Sequence, residues 1–551
     1  MTDTVPSSDA IPHSFFGYLK SFGPGLVVVL TWLGAGDIVE MGTAGADFGY
    51  SLMWVLVLAI SMRWVMVSVI ARYQLCNPRG EHLVDGLCRL HRGYAPLLLV
   101  AAVLMGHLYG AYMTRGIGEA FFNATGIGSV WIWAAAWNTI ALLLVFRPEL
   151  QRVEVVFKIL LTLLSIAFLG SAIMVQPQPG EIATGLISFE IPHQTGQYGP
   201  LLIAMGMIGA VGGSLMNLVY PYFLANKGWR GPQFRRLQFY DFLLAMAVML
   251  VLDLSIWTLG AETLHEQGGT IETMDDLPWL LGTRLGRFGE LLFYAGIFAA
   301  VFTSLIGHAL GLGMLASHSW LRLRSPTADL ADTDFRTTRL YRAVATWCLV
   351  SPLIWTLPGM PDFVAITLVV NALQVILLPV ISGGLWILST RAADIGAEYR
   401  NRWWEHVVLA ALLVLAISGA GGAITSTYTT VRNWGQSAPT ASQLEAASTL
   451  KEDLQAVILL DEQGHARSAE LGEGPIDQHH LAKLRQLDHL THLDLHKTNV
   501  AGTDLRYLQN LVNLRSLILP SDVVPLAINR LSHHLPDCKI NRKTTSPTTN
   551  R

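Results

Sequence analysis

Residues 23–50 read GPGLVVVLTWLGAGDIVEMGTAGADFGY, and this stretch decides the fold of the chain. It begins as an apolar run suited to a bilayer-spanning helix and then carries Gly34 and Gly36, two residues that weaken helical propensity. Asp37 and Glu40 follow at bilayer depth, where a carboxylate costs about 2.5–3.5 kcal/mol. A broken helix beside an intramembrane acid is typical of a binding site in a transporter. The stretch therefore predicts hinges at both glycines and a cation site at both acids.

The composition is that of a polytopic membrane protein. Of the 551 residues, 52% are hydrophobic and only 14% are charged, whereas soluble proteins carry about 25% charged residues. Apolar runs of about 20 residues recur along the chain, and each is long enough to cross a bilayer. The four cysteines lack CxxC spacing, which argues against a disulfide framework or a zinc site. No phosphate-binding, metalloprotease or nucleophile motif occurs, so we expect no catalytic residues and no enzyme activity.

The connections between the apolar runs alternate in charge. Arginine and lysine cluster in every second connection, which marks the cytoplasmic side and explains the basic clusters without a nucleic-acid partner. The pattern predicts a cytoplasmic tail over 1–20, a transmembrane domain over 21–427 and an extracytoplasmic C-terminus, in a bacterial inner membrane. Eleven spans are expected, at roughly 24–43, 50–73, 95–122, 129–146, 152–174, 199–225, 238–261, 286–316, 338–357, 362–390 and 404–426.

A soluble region is expected after the last span. A polar linker over 428–450 leads to a domain over 451–545, in which Leu490-x-x-Leu493-x-Leu495 recurs 24 residues later from Leu514. This period and pattern match a leucine-rich repeat, a unit of one strand and one helix. The domain is interpreted as an interaction module with a protein partner, or else as a structural cap on the outer face.

A second broken helix is expected if the fold is an inverted repeat of five plus five helices. The sixth span, LLIAMGMIGAVGGSLMNLVYPYFLANKGW over 201–229, places Gly212 and Gly213 at mid-membrane as hinges. The predicted ligands from this segment are the Ala210 carbonyl, Ser214 and Asn217. Close helix packing would also explain the glycines, but it does not explain why they stand in the helix that corresponds to the first span.

At this point the chain resembles the Nramp (natural resistance-associated macrophage protein) family over about residues 20–425. The resemblance rests on GPG with the interrupted segment, AGADFGYSLMWVLVLA, RVEVVFKILLTLLS, LFYAGIFAAVFTSLIGHALG and VVNALQVILLPVISG. It implies a proton-coupled divalent-metal transporter with a LeuT-like fold of eleven or twelve helices. The expected fold class is therefore an all-α polytopic membrane protein, a 5+5 inverted repeat plus an eleventh helix, followed by a small α/β leucine-rich-repeat-like domain.

The motifs depart from the family pattern at the metal site. Gly34 stands at the position of a ligand aspartate and Asp37 at that of a ligand asparagine, while Gln374 matches the second glutamine of the tenth helix. In the sixth span the methionine and the histidine of the family are both absent. We therefore expect an all-oxygen site that suits a hard cation such as Mg²⁺ or Mn²⁺.

Other ionisable residues stand within the spans. His107, Arg115 and Glu119 in the third span form either a proton or gating relay or, for the last two, a structural ion pair. His308 is expected to be a core histidine. Arg63 is expected to snorkel from a span end and receives no role.

The sequence thus predicts a secondary transporter of divalent metal cations, with the metal as transported substrate and no cofactor. Two alternatives stay open at this stage. One is a transporter of a small organic solute that has lost metal binding. The other is a membrane receptor or sensor that uses the extracytoplasmic repeat module.

Overall fold

The computed structural model describes residues 34–146, 151–192, 198–265, 270–330, 333–433 and 441–543, the last range with gaps at 461–463, 473, 488, 501–504, 506–507, 509–510, 512 and 536–537. The predicted tail over 1–20 and the start of the first span lie outside the described residues. The chain divides into two compact units, Met1–Arg432 and Asn433–Arg551.

The first unit is helical throughout its described part, because a bilayer requires every backbone polar group to be paired within its own segment. Several helices continue as, or are preceded by, short π or 3₁₀ turns. The α-helices are α1 (Ala35–Phe48), α2 (Met53–Cys76), α3 (Leu83–Leu90), α4 (Tyr94–Thr125), α5 (Val130–Phe146), α6 (Gln151–Met174), α7 (Pro179–Ile187), α8 (Pro200–Met207), α9 (Tyr220–Asn226), α10 (Arg235–Leu259), α11 (Trp279–Arg324), α12 (Arg339–Val350), α13 (Phe363–Gln374), α14 (Leu378–Thr390), α15 (Ala392–Ile395) and α16 (Trp403–Asn433).

Every predicted span contains helix. Within the part of the chain that the structure describes, seven helical segments are long and apolar enough to cross a bilayer, and the bent pair of α6 and α7 makes an eighth if it counts as one span. The other three predicted spans are shorter as described: α1 begins only at Ala35, α5 has 17 residues, and α12 has 12. The predicted class, an all-α polytopic membrane protein with a small α/β region, is confirmed.

The helix that follows the first glycine-rich break and the helix that precedes the second lie at the centre of the first unit. α1 packs against α10 and the π-helical turn after it, while α8 packs against α13. α4 and α11 run along each other, and α4 also packs against α13. At Gly45 of α1 a Cβ atom would collide with the Trp257 carbonyl of α10, so only glycine permits this approach. The centre of the unit is thus built from helices that come from distant parts of the chain.

The second unit is a small α/β fold. Its five-stranded sheet has the order β1-β2-β3-β4-β5, with β1 antiparallel to β2 and the other pairs parallel. The elements are α17 (Ala441–Leu454), β1 (Val457–Leu460), β2 (Ala466–Glu470), α18 (Gln478–Gln486), β3 (His492–Asp494), β4 (Ser516–Pro520), α19 (Pro525–His534) and β5 (Lys539–Lys543).

The strand register has the period of the leucine pattern. Ser468 pairs with His492 and His492 pairs with Ser516, so equivalent positions are 24 residues apart. Leu493 and Leu517, which are paired neighbours, lie in one buried apolar core. A parallel strand at a fixed period is what a strand-plus-helix repeat requires, and the assignment to the leucine-rich-repeat class stays a prediction.

Candidate metal-binding site

The sixth predicted span is broken at Gly213 and Ser214. α8 continues as a π-helix over Ile208–Gly212, after which Gly213 has φ −158° and ψ 74° and Ser214 is extended, with φ −80° and ψ 150°. The Ser214 hydroxyl accepts a hydrogen bond from the Met216 amide at 3.2 Å and so starts a new 3₁₀ turn. A helix end inside a membrane leaves carbonyl groups available to a ligand. The hinge lies at Gly213, whereas Gly212 is still helical.

The first broken segment is described from Gly34 onward. Gly34 is extended, with φ −89° and ψ −175°, and α1 begins at Ala35. Gly36 is already helical, and a Cβ atom there would lie only 3.0 Å from Asn371 Nδ2. Gly34 is thus the extended residue at which α1 begins, and its role as a hinge stays a prediction because the residues before it lie outside the described part of the chain. Gly36 is helical and allows the Asn371 amide to approach instead of acting as a hinge.

A cavity of about 30 Å³ is lined by residues of both breaks, which is room for about two water molecules or a partly hydrated cation. Six helices and the segment after the second break contribute to its wall. The lining residues are Gly34, Gly36, Asp37, Arg63, Tyr109, Tyr112, Met113, Ala210, Ser214, Met216, Ser304, His308, Asn371 and Gln374.

A polar chain of hydrogen bonds connects α1 to the second break. Asn371 Nδ2 donates to Glu40 Oε1 at 3.1 Å, and Gln374 Nε2 donates to Asn371 Oδ1 at 2.9 Å. The Tyr109 hydroxyl donates to Gln374 Oε1 at 2.8 Å and lies 3.2 Å from Ser214 Oγ. Each side chain in this polar chain orients the next one. The hydrogen bonds therefore hold amide and hydroxyl oxygens in place at the cavity wall.

Several carboxylate oxygens near the cavity accept no hydrogen bond from the residues that the structure describes. They are Asp37 Oδ2, Glu40 Oε2 and both carboxylate oxygens of Asp253 on α10. All three side chains are at most 1% exposed. A buried carboxylate without a partner is costly, and a cation is the group that would offset this cost.

Arg63 lies at the cavity, and the expectation that it snorkels to a span end is wrong. It is the eleventh of the 24 residues of α2 and is only 1% exposed. Its guanidinium donates to the Ala210 carbonyl and, at 3.1 Å, to Met249 Sδ. Its charge also interacts with those of Asp37 and Asp253. The cavity wall therefore carries a fixed cation next to a predicted metal ligand.

Three of the five predicted metal ligands, Asp37, Ala210 and Ser214, line the cavity together, and so does the accessory Gln374. Glu40 is not among the lining residues. It stands behind Asn371, to which it is hydrogen-bonded, and against Gly206 of α8. The structure thus gives Glu40 a place in the polar chain that supports the cavity wall.

Asn217, the fifth predicted ligand, is also absent from the lining. Its Nδ2 atom lies 3.8 Å from Met66 Sδ, on the side of α2. The expectation of an all-oxygen pocket is wrong, because the thioether side chains of Met113 and Met216 line the cavity. Met216 does not stand at the methionine position of the family motif, and the helix break brings it to the cavity wall.

The three predicted relay residues lie outside the cavity lining. Glu119 accepts hydrogen bonds from Arg115 Nε and, at 3.2 Å, from the Phe363 amide at the start of α13. His107 accepts a hydrogen bond from Trp355 Nε1 at 3.0 Å. Arg115 and Glu119 form an ion pair that also caps α13, and the relay role stays a prediction.

The sequence reading did not select Tyr109, Asn371 or Arg63. Asn371 and Gln374 are three residues apart on one face of an apolar helix, and an amide at bilayer depth is a usable signal. A tyrosine in an apolar run carries no comparable signal. His308, expected in the core, also lines the cavity, with Nδ1 placed 2.7 Å from the Ser304 carbonyl.

A second group of charges, the ionic rim, links α3 to α11 and α15 and links α2 to α16, and its carboxylates are buried. Arg322 Nε and His318 Nε2 each lie 2.5 Å from Asp85 Oδ1. Arg72 and Arg89 form ion pairs of 2.9 Å and 2.8 Å with other carboxylates. The ionic rim consists of Arg72, Asp85, Arg89, His318, Arg322, Asp394 and Glu405.

The Asp85 carboxylate of the ionic rim is held in its charged form. Burial by itself disfavours the charge, but the hydrogen bonds and charges of His318 and Arg322 outweigh it and hold the pKa of Asp85 well below its usual range. Each carboxylate of the ionic rim thus has a cationic partner, unlike the carboxylates at the cavity.

These features define an integral membrane protein with the broken-helix fold of secondary transporters. The chain belongs to the Nramp family: the family described as natural resistance-associated macrophage protein-like matches residues 25–426. The human natural resistance-associated macrophage protein 2 is 28% identical over 216 residues, which cover 38% of this chain and 37% of that protein. The divalent metal cation transporter MntH of Brucella suis is 25% identical over 321 residues, which cover 54% of this chain and 67% of that protein. The chain thus spans less than two fifths of the length of the human relative.

A solved structure has the same fold. The manganese transporter of Eremococcus coleocola, in complex with an aromatic bis-isothiourea compound, superposes with a TM-score of 0.58 at 17% sequence identity, over 82% of this chain and 95% of that chain. The likeness confirms the predicted transporter fold. It does not extend to the ligands, since the identity is low.

Proposed function

We propose that this chain is a secondary transporter that moves a divalent metal cation across the membrane. The cavity at the two helix breaks carries the proposal, because the Asp37 carboxylate, the Ala210 carbonyl, the Ser214 hydroxyl and the Gln374 amide converge on it. Oxygen ligands of this kind suit Mg²⁺ and Mn²⁺. Family membership and the name of the Brucella suis relative support the same substrate class.

Charge at the site also favours a cation. Asp37, Glu40 and Asp253 are three buried carboxyl groups, and the charge of the Arg63 guanidinium interacts with those of Asp37 and Asp253. Since four of their oxygens accept no hydrogen bond among the described residues, a bound cation would compensate a charge that the protein leaves open. The metal is a substrate in this reading, and the function calls for no cofactor.

The thioethers favour Mn²⁺ over Mg²⁺. Met113 and Met216 line the same wall as the oxygen donors. A thioether contributes nothing to a hard ion that keeps its water, whereas a softer transition-metal ion gains from it. We therefore propose Mn²⁺ as the preferred substrate among these two.

Movement of the broken helices would expose the cavity to each side in turn. The extended residues Gly34 and Gly213 would let α1 and α8 tilt without breaking the hydrogen bonds within these helices. The polar chain couples the two breaks through α4 and α13. Alternating access around a fixed site is how transporters with paired broken helices operate.

We further propose the setting in the cell. The alternation of basic connections supports a bacterial inner membrane with the N-terminus in the cytoplasm and the second unit outside. The parallel strands at a period of 24 support a repeat module, and we propose a protein partner for it.

The test is metal uptake by the full-length protein in proteoliposomes. Mn²⁺ should enter vesicles that contain the wild type, Mg²⁺ in excess should compete weakly, and Asp37→Ala should remove the flux. The matched control is Asp394→Ala, which deletes a buried carboxylate of the ionic rim and should leave uptake per folded molecule intact. Absence of Mn²⁺ and Mg²⁺ flux and binding, with binding of an amino acid instead, would replace metal by an organic substrate. Binding of metal without flux would indicate a sensor.

A further inference from the structure

The Ala210 carbonyl at the cavity already accepts a hydrogen bond from a positively charged side chain. The Arg63 guanidinium donates a hydrogen bond to it, from the middle of α2. A metal ion that used this carbonyl and the Asp37 carboxylate would stand next to the guanidinium. Two positive charges at such a distance repel strongly where water is excluded. Arg63 and the metal therefore cannot hold these groups at the same time.

A second acceptor for the guanidinium lies on α10. Arg63 Nη1 already contacts Met249 Sδ at 3.1 Å, and Asp253 is one helical turn further along the same face. Asp253 is fully buried, and neither of its oxygens accepts a hydrogen bond within the described residues. Its charge interacts with that of Arg63. A movement of the Arg63 side chain along this face would thus exchange a carbonyl acceptor for a carboxylate acceptor.

We infer that Arg63 is a tethered cation that holds the empty metal site and moves toward Asp253 when a metal ion binds. In the empty state the guanidinium satisfies the Ala210 carbonyl and stabilises Asp37, so the transporter can return without cargo. In the loaded state the metal takes these groups and Asp253 neutralises the guanidinium. Arg63 is a positioning residue in this scheme, and the inference rests on the function proposed above.

The scheme predicts opposite effects on affinity and turnover. In Arg63→Gln the competitor is gone, so Mn²⁺ should bind about 10-fold to 100-fold more tightly. Release and the return of the empty carrier should both become slower, so uptake at saturating Mn²⁺ should fall. A merely structural role of Arg63 would weaken binding and uptake together. Arg63→Lys keeps a tethered charge and should stay closer to the wild type in both measurements.

A double-mutant cycle tests the exchange of partners. Asp253→Asn should weaken Mn²⁺ binding in the wild-type background, because the Arg63 guanidinium loses the carboxylate toward which it moves. In the Arg63→Gln background the same substitution should have a much smaller effect. If Asp253 acted only by attracting the metal, its effect would be equal in both backgrounds, and this result would overturn the inference.

The experiment is calorimetric titration of Mn²⁺ into the purified full-length protein, with uptake in proteoliposomes alongside. The control is Arg72→Gln, the same change in the same helix but at the ionic rim, which should leave the Mn²⁺ affinity of the folded protein unchanged. If Arg63→Gln does not fold, Arg63→Met combined with Asp253→Asn removes both buried charges and should bind Mn²⁺ more tightly than Asp253→Asn alone.

The outcomes separate the inference from the proposed function. Binding by the wild type with no gain in Arg63→Gln overturns the inference alone. Binding by Arg63→Gln but not by the wild type supports a guanidinium that blocks the site and contradicts metal transport. If neither protein binds a divalent metal, both proposals are wrong.

Discussion

At the ionic rim each buried carboxylate has a cation at 2.5–2.9 Å. At the cavity the Arg63 charge interacts with those of Asp37 and Asp253, and four oxygens of Asp37, Glu40 and Asp253 accept no hydrogen bond among the described residues. The carboxylates of both regions are buried in the same unit, and α2 contributes an arginine to each region: Arg72 to the rim and Arg63 to the cavity. The difference therefore does not come from the type of residue or from burial. It comes from the number of partners: each rim carboxylate has a cationic partner, whereas four carboxylate oxygens at the cavity accept no hydrogen bond among the described residues.

A cluster in which every charge has a partner holds helices together. Buried charges without a partner can instead lower their free energy by binding a ligand. The ionic rim links α3 to α11 and α15 and links α2 to α16, and it leaves its carboxylates no need for another partner. At the cavity the open oxygens raise the free energy of the empty state, so a cation gains from entering. The same comparison separates substitutions that affect stability from those that affect transport.

The largest expected effect is on stability, from the rim. Asp85→Ala leaves His318 and Arg322 without their shared carboxylate and should lower the free energy of unfolding by roughly 3–5 kcal/mol. Thermal unfolding of the purified protein measures the change, with metal affinity of the remaining folded fraction as the second readout. Loss of Mn²⁺ affinity without loss of stability would contradict the separation of the two regions.

The next effect concerns the polar chain at the cavity. Tyr109→Phe removes one hydroxyl that donates to Gln374 and contacts Ser214, so the amide oxygens lose their orientation. Mn²⁺ affinity should fall by about 10-fold to 100-fold, as for other residues that orient metal ligands. Thermal unfolding should change little in comparison with Asp85→Ala. An unchanged affinity in calorimetry would show that the polar chain does not support the metal.

A pair of matched cap substitutions sharpens the comparison. Ser214→Ala removes the acceptor for the Met216 amide, and Thr338→Ala removes the acceptor for the Tyr341 amide at the start of α12. Each should cost about 1 kcal/mol of stability. Only Ser214→Ala should also reduce Mn²⁺ uptake, since only Ser214 lines the cavity. Equal uptake in both variants would remove Ser214 from the ligand set.

The smallest effect is the pH dependence of the ionic rim. Because the pKa of Asp85 is lower in the folded protein than its ordinary value of 3.8, the folded state binds this proton less tightly than the unfolded state. The stabilisation is therefore fully present above that value and is lost as the pH falls through the lower folded pKa. The difference in thermal midpoint between the wild type and Asp85→Asn should be constant near neutral pH and shrink only in strong acid. A difference that already shrinks near neutral pH would contradict the depressed pKa.

The helices and their breaks could be predicted from the sequence, and the hinges at both breaks were predicted too broadly. Apolar length located the seven helical segments that, in the described part of the chain, are long enough to cross a bilayer, because a bilayer admits only segments that pair their own backbone groups. Glycine clusters marked both breaks, but the sequence spread the hinge over Gly36 and Gly212, which are helical. Helical propensity is a local average, and the packing of Asn371 against Gly36 is a contact with a residue far away in the chain.

By itself, the sequence determined the membrane setting, the paired broken helices, the acid Asp37 at the first break and the period of 24 in the second unit. These follow from hydropathy, propensity and repetition, which are properties of short segments. Only the tertiary structure decided that Arg63 donates a hydrogen bond to the Ala210 carbonyl and that Asn217 lies against α2. It also decided that Tyr109 and Asn371 hold the polar side chains at the cavity wall in their orientation. The physical reason is that electrostatic and hydrogen-bond partners in a helical membrane protein come from different spans. Their meeting depends on how those helices pack, and the pattern within any one span does not contain that information.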